Sequence, residues 1–161
     1  MVKEMQVIGI TIDPVTQSPI VILRDKDNLH TLPIWIGVLE ANAIAAGLEH
    51  LQLPRPMTHD LFKNLLEQSG VTLHRVEVTD IRDNTYYAAL HMDVGGKPVV
   101  IDSRPSDAIA IAIRMEVPIM VRDVVLEKAL RVEPGTSGGE KDKWTELLEK
   151  MDPEDFSKYK M

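Results

Sequence analysis

Three short polar clusters interrupt apolar stretches of this chain, and their residue types suit phosphate binding and proton transfer. In Val99 to Arg114, V-V-I-D-S-R-P-S-D-A-I-A-I-A-I-R, a β-branched run that suits a buried strand gives way at Asp102 to charged residues. Pro105 fits a first helical turn, where its missing N–H would have no partner anyway. Ser103 and Arg104 then stand at a helix entrance, where free backbone N–H groups and the positive end of the dipole meet the Arg104 guanidinium, an arrangement that suits an anion or phosphate. Asp102 and Asp107 could add metal ligation or acid–base chemistry. A purely structural reading weighs equally: Asp107 takes orphan N–H bonds, Ser103 caps, and Arg104 pairs with either aspartate.

The second cluster is Gly37 with Glu40 after Trp35, where an acid in a first helical turn ordinarily compensates the dipole. The third is Arg55-Pro56-Met57-Thr58-His59-Asp60. As neighbours on a helix, His59 and Asp60 point different ways and do not form a direct pair, though each can meet a residue from elsewhere. The simpler reading makes Thr58 a cap, Asp60 a dipole partner and His59 a solvated side chain.

These clusters need elements to hold them. Strands are expected over Met5–Ile12, Pro19–Leu23 and Leu29–Ile36, the last at an edge because of Pro33. A helix follows over Val38–Leu51, with Ala41, Ile44, Ala45, Leu48 and Leu51 inward, and a second from Thr58 to Ser69, with Leu61, Phe62, Leu65 and Leu66 inward and Gly70 as its stop. Val71–Ile81 reads as a strand whose apolar phase switches at a bulge near His74 and Arg75. Asp83-Asn84 and Gly95-Gly96 make hairpin turns on either side of Thr85–Asp93. Ile109, Ile111 and Ile113 alternate as in a strand, but the alanines between them and Pro105 favour a central helix, apolar nearly all round. Val117–Val121 is a short strand, and Asp123 caps a helix through Leu130. The fold expected is α/β of the α+β type: a mixed, largely antiparallel sheet of about seven strands packed by three to four helices. Residues 1–130 form the domain, 131–143 a flexible linker, and 144–161 an amphipathic helical tail built on Trp144, Leu147, Leu148 and Met151.

A chain of 161 residues is one domain by size, and 44% hydrophobic with 27% charged residues excludes disorder. No run reaches membrane-span length and no signal peptide is evident, so a cytoplasmic protein with no membrane partner is expected. Absent cysteine removes disulfides, thiolate metal sites and thiol nucleophiles. Up to residue 130 there are 12 Lys and Arg against 17 Asp and Glu, a net of −5, so any nucleic-acid contact must be local rather than a broad basic face. Phosphate-binding glycine loops, H-E-x-x-H and nucleophile elbows are missing.

Taken together, L-P-I-W-I-G-x-x-E-A from Leu32, R-P-M-T-H-D-L from Arg55 and I-D-S-R-P-S-D-A-I-A-I-A-I-R from Ile101 resemble the bifunctional nuclease domain family, over roughly Met5 to Leu130. The resemblance implies an α/β fold that tends to oligomerise, with a dimer favoured, and cleavage of both RNA and DNA. On that reading Asp102, Asp107 and Glu40 are the expected ligands of Mg2+ or Mn2+, with no organic cofactor. Arg104, Ser106 and Arg55 bind the phosphate, and His59 with Asp102, Arg104 and Asp107 forms the catalytic set. The alternative is a non-enzymatic homo-oligomeric module binding an anionic ligand or protein partner. An enzyme acting on a small phosphorylated metabolite ranks last.

Overall fold

The computed structural model describes residues 1–131; the expected linker beyond its first residue and the expected tail lie outside the described residues. In chain order the elements are β1 (Val2–Ile12), β2 (Pro19–Asp25), β3 (Thr31–Trp35), α1 (Val38–Leu48), α2 (Thr58–Gln68), β4 (Thr72–Arg82), β5 (Thr85–Val94), β6 (Lys97–Ser103), α3 (Pro105–Met115), β7 (Ile119–Arg122) and α4 (Asp123–Arg131). The strands form one seven-stranded sheet in the order β3-β2-β1-β7-β4-β5-β6. All neighbours are antiparallel except β4 and β7. This is the mixed α+β architecture expected from the sequence.

Local chemistry explains the turns. Asp83 and Asn84 both take positive φ, 49° and 61°, as do Gly95 and Gly96 at 58° and 80°. Two successive left-handed residues give the twist that two-residue hairpins require. The register of β4 against β5 shifts between Leu73 and Arg75, where the apolar phase of the sequence switches, and again between Val78 and Asp80. Pro33 lies on β3, an edge strand, where a missing N–H costs no ladder bond.

The connection from β3 to β4 carries α1 and α2, and the one from β6 to β7 carries α3. Helix α3 packs on β4 and β5, while α1 and α2 flank it. Its residues from Ala108 to Ala112 are buried in one core with Val76, Val78, Ala88 and Leu90. Small side chains let α1 approach closely: a Cβ built on Gly47 would meet Ile113 Cγ2 at 3.2 Å and Arg114 Nη1 at 2.9 Å.

Several expectations about burial and caps need correction. The Val99–Ile101 run lies on the exposed edge strand β6, with Val100 and Ile101 facing solvent, because β-branched residues favour extended backbone whether or not a neighbour covers it. Helix α1 stops at Leu48, and Leu48 and Leu51 are exposed while Ala41, Ile44 and Gly47 form its buried stripe. On α2 only Leu66 is buried and Phe62 partly so; Leu61 and Leu65 face outward, because this helix covers the rim of the layer. Met57, not Thr58, occupies the N-cap position of α2, and Arg104, not Ser103, that of α3.

Candidate functional site

The first turns of α1, α2 and α3 converge, and that convergence assembles the candidate site. Gly37, in extended backbone (φ −81°, ψ 168°), precedes α1 and leaves room for Glu40 to fold back: a Cβ there would stand 2.1 Å from a Glu40 carboxylate oxygen. Pro105 opens α3 and presents Arg104 at its entrance. Arg104 donates from Nε to Asp107 Oδ2 at 2.9 Å, from Nη2 to Asp107 Oδ1 at 3.2 Å, and from Nη1 to Glu40 Oε1 at 3.0 Å. On α2, His59 brings Nε2 to 2.9 Å from Asp107 Oδ1. Three helices thus contribute one linked set, Glu40–Arg104–Asp107–His59.

The protonation pattern follows from these contacts. Burial raises the Asp107 pKa, but hydrogen bonds from Arg104 and then His59 outweigh it and hold the carboxyl below its ordinary range. An ionised Asp107 only accepts, so the proton between it and the imidazole sits on His59 Nε2. In neutral His59 the lone pair is then on Nδ1, which makes no hydrogen bond among the described residues. Arg104, held by Asp107 first and Glu40 second, has its pKa raised and stays cationic. Its side chain is 65% exposed and keeps N–H donors free for an incoming oxyanion.

A buried arginine fixes the helices that carry this set. Arg114, only 7% exposed at its side chain, donates from Nε to Asp60 Oδ1 at 2.7 Å, and its Nη1 and Nη2 reach the carbonyls of Ala110 and Ala43. It therefore ties α3 to α2 and to α1. Asp60 also accepts the Met57 N–H at 3.0 Å. Burial pushes the Asp60 carboxyl up, and the Arg114 and Met57 hydrogen bonds together lower it below its usual value. Locating His59 is one consequence, since it sits next to Asp60. Arg114 closes the Val99–Arg114 stretch, but nothing in its local spacing marked it as the clamp.

The expected residues divide plainly. Glu40, His59, Arg104 and Asp107 come together; His59 is largely buried against Asp107 rather than solvated. Asp102 does not join them. It pairs across the sheet with Ala89, whose neighbours Ala88 and Leu90 face α3, so by alternation Asp102 points from the opposite face. Ser106 is buried, set back from the exposed Arg104, and Ser103 donates only to the Arg104 carbonyl. Arg55 is exposed in the α1–α2 connection and makes no ion pair among the described residues. The expected cation site of Asp102, Asp107 and Glu40 does not fit: Asp102 is on the other face, and Arg104 bridges the other two carboxylates. Among the described residues, no group of three His, Asp or Glu side chains is arranged to hold a metal ion. No described helix is long and apolar enough to cross a membrane.

Comparison with known proteins adds to this geometry. The bifunctional nuclease domain matches residues 21–133, a span that contains all three polar clusters. An uncharacterized protein of Mycobacterium tuberculosis is 36% identical over 162 residues, covering 95% of this chain and 97% of that protein. Bifunctional nuclease 2 of Arabidopsis thaliana is 34% identical over 107 residues, 65% of this chain and 32% of its own length. Bifunctional nuclease 1 of Oryza sativa subsp. japonica is 29% identical over 124 residues, 74% of this chain and 38% of its own. The chain thus corresponds to about a third of each plant protein.

Proposed function

The chain belongs to the bifunctional nuclease domain family, and from that premise we propose that it is a phosphodiester hydrolase cleaving RNA and DNA at the Glu40–Arg104–Asp107–His59 cluster. The observation that carries the reading is the His59–Asp107 pair at 2.9 Å, which leaves Nδ1 as a base beside a partly uncommitted guanidinium. A site that cuts DNA as well as RNA cannot rely on a 2′-hydroxyl, so water is the nucleophile. His59 Nδ1 takes the proton from the attacking water as its oxygen bonds to phosphorus. The phosphorus–oxygen bond on the far side breaks, and the leaving oxygen takes its proton from solvent. Arg104 and the N–H groups at the α3 entrance stabilise the negative charge on the phosphoryl oxygens. Glu40 and Asp107 hold the guanidinium in place.

The test is cleavage of single-stranded RNA and DNA by the wild-type protein and by His59→Ala purified identically, each with Mg2+, Mn2+ or EDTA. Loss of roughly a hundredfold or more in the folded variant supports the site. Equal traces in both would contradict it.

A second reading, a non-enzymatic homo-oligomeric module, draws on one observation. Val38 and Leu39 of α1 and Leu61 and Leu65 of α2, the helices that carry Glu40 and His59, are exposed, with Leu39 at 80%. Exposed large apolar residues on two helices that flank α3 suit a protein contact. A stable oligomer with no cleavage would favour this reading over the first.

A further inference from the structure

The sheet face turned away from α3 holds a second polar arrangement that the nuclease reading does not use. There Glu77, with its side chain only 5% exposed, accepts a hydrogen bond from Arg122 Nε and stands 2.9 Å from His91 Nε2 and 4.0 Å from Arg75 Nε. Next to it Asp80 accepts from Arg82 Nε at 2.9 Å and from Lys128 Nζ at 2.6 Å. Each carboxylate thus holds an arginine by its Nε–H from behind. The terminal Nη groups of Arg82 and Arg122 make no hydrogen bond among the described residues. Arg82 is further steadied by lying 4.6 Å from the centroid of the Tyr87 ring.

Both arginines and Lys128 line an open cleft of about 370 Å3 between the sheet and α4, with Ala89 and Val100 as apolar lining. Four cations, Arg75, Arg82, Arg122 and Lys128, meet three carboxylates, Glu77, Asp80 and Asp102, the last acting on Arg82. The patch is therefore net positive in a chain of net charge −7. Guanidinium forks held from behind and open in front match a planar or tetrahedral oxyanion with several acceptor oxygens. The volume suits a small molecule rather than a polymer.

We infer that this cleft binds a small phosphomonoester of nucleoside-monophosphate size, its phosphate held by Arg82 and Arg122 with Lys128 at the edge. The site is independent of His59 and Arg104, which lie on the other face of the sheet. Isothermal titration with adenosine monophosphate, inorganic phosphate and adenosine tests it. The wild-type chain should bind the first two saturably and adenosine not at all. Arg82→Gln and Arg122→Gln should each weaken binding at least tenfold, and His59→Ala should leave it unchanged. Arg82→Gln leaves Asp80 held by Lys128, so it decides the matter should loss of Arg122 from buried Glu77 unfold the chain. Absent saturable binding, equal binding of adenosine, or affinity lost in His59→Ala but kept in Arg82→Gln would overturn the inference.

Discussion

At the scale of single residues, the chemistry depends on how few atoms carry it. Arg104 reaches Asp107 through two nitrogens and Glu40 through a third, a planar fork that lysine cannot reproduce. Arg104→Lys should therefore lower cleavage by roughly a hundredfold while the thermal midpoint stays close to wild type. Asp107→Asn removes the charge that assigns the imidazole proton to Nε2, and roughly a tenfold or greater loss of turnover is expected, read from steady-state cleavage of a labelled oligonucleotide. The sequence exposed Glu40, His59, Arg104 and Asp107 as unusual residues in apolar settings, and of their pairings only the local one, Arg104 with Asp107 three residues on, was legible. His59 and Asp107 are 48 positions apart, and only the packing of α2 on α3 makes them neighbours. Asp102 misled for a related reason. It lies next to the helix entrance in sequence, yet a strand turns alternate residues to opposite faces, and its parity puts it on the far one.

At the scale of elements, the site depends on three helix starts being held in register. Gly37 is the smallest device. Gly37→Ala keeps a favourable backbone, since φ is −81°, but its methyl would displace the Glu40 carboxylate from Arg104. Reduced cleavage with stability within about 0.5 kcal/mol of wild type is the expected result, measured by assay and denaturant titration. Arg114 acts more broadly. Arg114→Met leaves Asp60 with only the Met57 N–H and takes the side-chain donor from the Ala43 carbonyl, and because Asp60 is partly exposed the cost should be about 2 kcal/mol in urea unfolding, with cleavage also reduced as His59 loses its support. Hairpin turns, the first β4 bulge and the central helix were legible, since each rests on local residue chemistry. Helix faces were less so. Leucines at helical spacing mark one apolar stripe, and they do not say whether a neighbouring layer extends far enough to cover it, which on α2 it does not.

At the scale of the molecule, one sheet separates two polar arrangements, and the topology that does so cannot be read locally. Placing β7 between β1 and β4 is a long-range choice that short connections do not signal. Net charge −7 argues against a nucleic-acid surface spread over the protein, so the proposed nuclease activity calls for recognition concentrated at Arg104, the helix entrances and Arg55, which makes no ion pair among the described residues. The same acidity shapes stability. Asp13, held low first by the Trp35 hydrogen bond, and Asp25, Asp60 and Asp107, where hydrogen bonds outweigh burial, all have folded pKa values below the ordinary one. Their stabilisation is fully present above the unfolded value of about 4 and is lost as pH falls through the lowered folded values. Thermal midpoints should be flat above about pH 5 and drop steeply below about pH 4, with the drop reduced in Asp60→Asn. The most direct measurement compares cleavage of single-stranded RNA and DNA by Asp102→Ala and His59→Ala under the same conditions. Activity near wild type in Asp102→Ala, with loss of roughly a hundredfold in folded His59→Ala, is the result expected from a site on the α3 face. Activity lost in Asp102→Ala and kept in His59→Ala would contradict it.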